Sequence, residues 1–182
     1  MKTAKLIQTG RAIAILSLLI GTAIFVVYYL TSTDFLLLIG YVFIVLSAIT
    51  NSIFLILILI QYSKKESHKF PLFITAGIIL LNIPVLLFYS WITFLLMDIM
   101  RINFINSTTE TITEIKIKGC QNKNIKQLEA GQSESAWVVI KGDCEIDIEY
   151  LIKGKLEKET VVQYATTSMG HKMNYKIGKK TE

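Results

Sequence analysis

The sequence predicts an α+β membrane protein: three transmembrane helices in residues 1–100, then a small all-β domain in residues 101–182. Three observations predict it. The chain has 182 residues, is 52% hydrophobic and has a mean hydropathy of +0.51, too apolar for one soluble domain. Its first half holds three long apolar runs. Its second half alternates apolar and polar residues between turn signals, the period of a half-buried strand.

The apolar runs are Ala12–Leu30, Phe35–Ile60 and Pro71–Met97, and none contains Asp, Glu, Lys, Arg or His. Each exceeds the roughly 18 residues that mark a transmembrane candidate. The second and third would reach about 39–40 Å as helices at ~1.5 Å per residue. A hydrocarbon core is roughly 30 Å thick, so tilt or interfacial overhang follows. No run is long enough to split into a fourth span. The first run has a basic leader, but it ends in the bulky "VVYYL" with no small-x-small site. It reads as a retained helix, not a cleaved signal.

Orientation follows from the flanking charges. Lys2, Lys5 and Arg11 precede the first run, and Lys64, Lys65 and Lys69 lie between the second and third. The intervening "TSTD" has no positive charge, and Arg101 stands alone beyond the third run. Asp98, at i−3, offsets Arg101 if the helix continues that far. Positive-inside then puts the N-terminus in the cytosol, and three crossings leave the C-terminal domain outside it. Tyr28, Tyr29 and Tyr62 near span ends suit interfacial positions. The same charge count excludes nucleic acid as a partner. Residues 102–182 carry twelve lysines and eleven acids, so the net charge of +5 comes mostly from the membrane half.

Beyond residue 100 the segments "RINFIN", "ITEIKIKG", "NIKQLE", "SESAWVVIK", "CEIDIEYLI", "LEKETVVQYATT" and "HKMNYKIG" are rich in Ile, Val, Thr and Tyr. Turn signals separate them, at "EAGQ", Gly142-Asp143 and Lys153-Gly154-Lys155. Seven short strands in so few residues predict an immunoglobulin-like β-sandwich, with a five-stranded barrel as the alternative. Along "IKGDCEIDIEY" the acids Asp143, Glu145, Asp147 and Glu149 alternate with apolar residues and read as a solvated face.

Few residues carry chemistry. Cys120 and Cys144 are the two cysteines. Cys144 shares parity with Ile146, Ile148 and Tyr150, so it faces the core. Cys120 follows Gly119 in a phase that points outward unless a turn or bulge at Gly119 resets it. An extracytoplasmic domain favours a disulfide; two unpaired thiols, one buried and one at a loop, are the other arrangement. In the apolar runs, Asn51 and Asn82 are positioned to hydrogen-bond across helices, and Pro84 removes a backbone donor and predicts a kink. Buried ionisable groups, the usual mark of an ion pathway, are missing from the runs. "NST" at 106–108 matches an N-glycosylation pattern and equally a polar turn between strands. His68 and His171 match no metal-ligand spacing, and the chain has no glycine-rich phosphate loop or nucleophile–base pairing. Catalytic, cofactor and metal sites are therefore not expected. The closing "GKKTE" reads as frayed.

"INFINSTTETITEIKIKG" followed by "LEAGQS" resembles the small immunoglobulin-like domains of bacterial surface and envelope proteins. There an Asn-Ser/Thr turn leads into an alternating strand and a Leu-x-x-Gly turn opens the next. Ala130 stands where that turn often has proline. With its three spans, the chain is similar to small uncharacterised inner-membrane proteins of Bacteroidota-type bacteria, and its Ile, Lys and Asn usage suits an AT-rich genome. The resemblance implies an architecture in the cytoplasmic membrane and no activity.

The expected function is thus non-enzymatic. Helices in the lipid bilayer would present the sandwich as a binding or assembly module, with another envelope or membrane protein as partner. The alternative is an accessory subunit of a transport or export complex, in which Asn51, Asn82 and Pro84 matter more than the sandwich.

Overall fold

A computed structural model describes residues 3–64 and 69–179. Lys2, Lys65, His68 and the tail at 180–182 lie outside the described residues. The chain divides into two compact units, Met1–Thr93 and Phe94–Glu182.

The first unit is helical. α1 spans Thr3–Thr31, α2 Asp34–Lys64 and α3 Lys69–Met97. All three are long and apolar enough to cross a membrane, consistent with a multi-pass membrane protein. Ser32 joins α1 to α2 with φ of 53°, its N–H donating to the Tyr28 carbonyl. Asp34 in the first turn of α2 and Lys64 in its last complement the helix dipole. α1 starts well before its apolar run, because Leu6, Ile7 and Gly10 are buried in the helical core with Ile58, Leu72 and Ile79. A side chain at Gly10 would stand 3.2 Å from Ile58 and 3.3 Å from Thr75, so glycine lets α1 approach both α2 and α3 there. That contact brings the start of α1, the end of α2 and the start of α3 together. Lys5, Arg11, Lys64 and Lys69 therefore share one end. Tyr28, expected at an interface, is buried, whereas Tyr29 and Tyr62 are exposed.

The second unit is all-β after the last turn of α3. Among the described residues its strands are β1 Ile99–Asn106, β2 Ile112–Gly119, β3 Lys123–Leu128, β4 Ser133–Val139, β5 Cys144–Ile152, β6 Lys155–Ala165 and β7 Lys172–Ile177. They match the seven segments read from the sequence. They form two sheets, ordered β4-β1-β7 and β3-β2-β5-β6. β1 pairs antiparallel with β4 and parallel with β7; the larger sheet is antiparallel throughout. Both sheets bury one shared cluster. Met100, Ile102, Phe104 and Val138 come from one sheet, and Ile115, Ile117, Ile125, Ile146 and Ile148 from the other. The chain thus forms two sheets, not a five-stranded barrel. An immunoglobulin constant domain lettered in chain order has sheets A-B-E-D and C-F-G. Of those neighbours only B–E recurs here, as β2–β5.

Local chemistry sets the registers. Lys153 (φ 51°) and Gly154 (φ 76°) make the two-residue turn between paired Ile152 and Lys155, the left-handed pair a tight hairpin requires. Gly131, at φ 78°, occupies the third position of the turn Glu129–Gln132, closed by Gln132 N–H to the Glu129 carbonyl at 2.9 Å. In β2 the register to β5 slips between Thr113 and Lys116. Glu114, at φ 51°, is the extra residue, and the bulge lets Ile112 and Ile115 both reach the core.

Candidate functional site

The chemistry-bearing residues of the β unit gather at two ends. At one, α3 passes into β1 with Asp98 alone between them. Asp98 is not the helical i−3 partner of Arg101, because α3 stops at Met97; its Oδ1 accepts the Ser168 N–H at 2.8 Å. The β6–β7 connection closes on this junction. Gly170 N–H donates to the Met97 carbonyl at 2.6 Å, and Arg101 N–H to the His171 carbonyl at 2.8 Å. A Cβ at Gly170 would lie 2.5–2.7 Å from backbone atoms of Met97 and Ile99, so only glycine fits. From the other side, Ile140 N–H donates to the Asp98 carbonyl and Val139 N–H to Gln121 Oε1.

The disulfide sits at this same end. Cys120 and Cys144 are bonded, with Cα atoms 5.1 Å apart, and both pack against the core. The phase problem at Cys120 is resolved by Gly119. Its φ is 111°, and an added Cβ would fall 1.8 Å from the Glu145 carbonyl oxygen. Glycine there ends β2 pressed against β5 and turns Cys120 inward, as a reset at Gly119 requires. The bond closes a loop across 24 positions, which contributes about 3 kcal/mol on the chain-entropy account.

Asn106 organises the opposite end, and sequence reasoning missed its weight. It is fully buried. Its Nδ2 donates to the Glu110 and Leu128 carbonyls at 2.8 and 2.9 Å. Its Oδ1 accepts from the Thr108 N–H and hydroxyl at 3.0 and 2.7 Å. Its own backbone bonds Gly131 and Gln132 in the β3–β4 turn. "NST" is therefore an Asx turn locking three segments, and the amide nitrogen that a glycan would need is engaged in the interior. The signal was present in the sequence, in an Asn at the end of an alternating strand followed by Ser-Thr-Thr.

The acids of β5 are not uniformly solvated. Asp143 and Glu145 are exposed, but Asp147 is 5% exposed. β5 is an interior strand of its sheet, and β6 is doubly bulged opposite Cys144–Asp147, which brings Thr160 and Lys158 over the carboxylate. Thr160 Oγ1 donates to Oδ1 and Lys158 Nζ pairs with Oδ2, both at 2.8 Å. The Lys158 contact, then the Thr160 hydroxyl, hold the Asp147 carboxyl below its ordinary value, and Asp147 raises Lys158 in turn. Hydrogen bonds from Thr166 and Tyr164 lower Asp143. Glu149 pairs with Lys118 at 2.6 Å. A second hub is Glu159, which accepts from the Tyr150 and Tyr175 hydroxyls at 2.6 and 2.8 Å and from Gly178 N–H at 2.9 Å. Burial, then the Glu159 bond, raises both phenols. It ties β5, β6 and β7 together across the two sheets.

In the helical unit Asn51 and Asn82 both reach α1 and not each other. Asn51 Nδ2 donates to Ser17 Oγ at 3.1 Å and to the Ser47 carbonyl at 2.8 Å. Asn82 Nδ2 donates to the Ala14 carbonyl at 3.1 Å. Pro84 lies inside α3, which continues through it to Met97, and faces outward. Arg11 donates to Thr75 Oγ1 and the Pro71 carbonyl, and Phe25 stacks on Tyr89 at 4.4 Å. α1 is thus the hub to which polar groups of both other helices attach. Among the described residues, no three His, Cys, Asp or Glu side chains group closely enough to hold a metal ion. The side chains above do structural work: they join strands, turns and helices.

No family model matches the chain, and no curated protein matches it. Among solved structures, the "NMR structure of the protein from Eubacterium rectale" is similar over 44% of this chain and 77% of that one. The identity is 14% and the TM-score 0.36, too low to carry an argument about fold or function.

Proposed function

We propose that this is a non-enzymatic, multi-pass protein of a bacterial cytoplasmic membrane, with its N-terminus in the cytosol. Its three helices anchor the β unit outside the cytosol, where it acts as a binding or assembly module for another envelope protein. The domain is immunoglobulin-like in its two-sheet layering, with a connectivity of its own. The observation that carries the reading is the Cys120–Cys144 bond, since disulfides persist outside the reducing cytosol. The shared end of Lys5, Arg11, Lys64 and Lys69 supports the same orientation. β6, the longest strand, pairs on one side and exposes Leu156 and Tyr164, so its edge suits strand addition by a partner.

A second reading, an accessory subunit of a transport or export complex, draws on the outward-facing apolar side chains that cover most of all three helices. One pair of experiments separates the two. A reporter fused after residue 182 is expected to be active only outside the cytosol; activity inside would sink the orientation. Deleting residues 102–182 is expected to abolish function under the first reading, whereas loss of function on changing Asn51, Asn82 or Pro84, with the β unit dispensable, supports the second.

A further inference from the structure

We propose that Arg11 binds the phosphate of an anionic phospholipid where α1 and α3 meet the membrane surface. The site rests on the membrane-spanning reading above and concerns the helical unit alone. Length supplies its position. α1 has 29 residues, about 43 Å at ~1.5 Å per residue, against a hydrocarbon core of roughly 30 Å. The roughly 20 residues that cross such a core, counted back from Thr31, begin at Ala12. Arg11 therefore stands at headgroup depth, just outside the apolar run.

Geometry supplies the donors. Gly10 lets α1 close on Thr75, which is fully buried in α3. The neighbouring guanidinium then lies against the first turns of α3. Its Nε donates to Thr75 Oγ1 at 3.0 Å and its Nη2 to the Pro71 carbonyl at 3.3 Å. The Thr75 hydroxyl donates its own proton to Pro71 at 2.7 Å, which leaves its oxygen to accept from Arg11. A guanidinium has five N–H donors. Two are engaged here, and the remaining three, on Nη1 and Nη2, have no partner among the described residues. They include the Nη1–Nη2 edge, a planar fork that matches two phosphate oxygens.

Charge supplies the rest. Both acceptors are neutral, so this half-buried guanidinium has no carboxylate partner among the described residues. Asp34 is the one acid in the three helices, and it opens α2 at the end away from Lys64. A charge held between membrane helices calls for a counter-ion. Lys5 and Lys64 are exposed at the same end as Arg11, which favours a net negative headgroup over a zwitterionic one.

The full chain is purified in a mild detergent, and lipid adducts are titrated by native mass spectrometry. One phosphatidylglycerol is expected to bind in preference to phosphatidylcholine, whose choline would face the lysines. R11Q is expected to weaken phosphatidylglycerol binding about tenfold. R11K, which keeps the charge and loses the fork, is expected to weaken it by a smaller factor. K64Q keeps Arg11 and is expected to retain the preference. Equal affinity for the two lipids, or K64Q costing as much as R11Q, would overturn the site and leave a diffuse basic surface. Displacement of phosphatidylglycerol by equimolar inorganic phosphate would overturn the lipid as the source of the phosphate. If R11Q does not fold, R11K carries the test, and binding equal to that of the unmodified chain would overturn the role of the fork. Carbonate washing of native membranes judges the reading beneath. Release of the chain would overturn the membrane-spanning reading, whereas a retained chain with no lipid preference would overturn the site alone.

Discussion

The two units solve the same problem in opposite ways. The helical unit satisfies its backbone locally, turn by turn, and buries few side chains: Ile58 is the one buried residue in α2 and Ala14 one of six in α1. Its helices are long and apolar enough to cross a membrane, and a few contacts, at Gly10, Arg11, Asn51 and Asn82, join them. The β unit must pair strands distant in sequence and share a small core between two sheets. There, single positions decide: Gly119, Gly170, Asn106 and the two cysteines each fit one place and no other residue type would. The difference teaches where sequence constraint concentrates, which is in the half that looks least distinctive by composition.

The comparison predicts a steep order of effects, each read as unfolding of the full chain. Gly119→Ala is expected to cost most. Its Cβ would overlap the Glu145 carbonyl at a left-handed φ, so a loss of more than about 3 kcal/mol is expected, by chemical denaturation. Cys120→Ser with Cys144→Ser should lose about 3 kcal/mol, read in the same denaturation series. Asn106→Ala strips four side-chain hydrogen bonds, including the one to the Leu128 carbonyl, while the Glu110 carbonyl keeps the Thr108 hydroxyl; about 2–3 kcal/mol should go, lowering the thermal midpoint.

Asp147→Asn is expected to be milder, about 1–2 kcal/mol at neutral pH. Its signature is pH dependence. The folded carboxyl is depressed below 3.8, so its stabilisation is present above that pH and fades as pH falls through the folded value. The raised Lys158, Tyr150 and Tyr175 contribute below their ordinary 10.5, 10.0 and 10.0 and fade as pH rises further. Stability should therefore be flat between about pH 4 and 10 and fall on both sides. Asp147→Asn should shallow the acid limb and, because Asp147 is what raises Lys158, also remove that lysine's share of the alkaline limb. Asn82→Leu comes last, at about 0.6 kcal/mol, the ordinary worth of a hydrogen bond between membrane helices. If Asn82→Leu destabilised more than Asn106→Ala, the contrast between the units would be broken.

The sequence made the elements legible and hid their partners. The strands stood out because alternation and turn residues are local, and Lys153-Gly154 encodes its hairpin in two letters. Strand order was not legible, because nothing local says that β1 runs beside β7 or that β4 crosses into the other sheet. Asp147 misled for the same reason. Its parity pointed outward correctly, but its cover comes from Thr160 and Lys158 on a bulged neighbour. The start of α1 was hidden because Thr3–Arg11 is polar enough to read as a leader, while Leu6, Ile7 and Gly10 pack within the helical core. Cys120 was half legible: the sequence exposed the phase conflict and Gly119 as its resolution, and geometry was needed to close the bond.

The central claim is that the β unit lives where its disulfide can persist. Counting thiols tests it most directly. The full chain, kept in native membranes, is alkylated before and after reduction, and its intact mass is measured. With two cysteines in the chain, the account predicts that neither is modified before reduction and that both are modified after it. Two free thiols before reduction would contradict it.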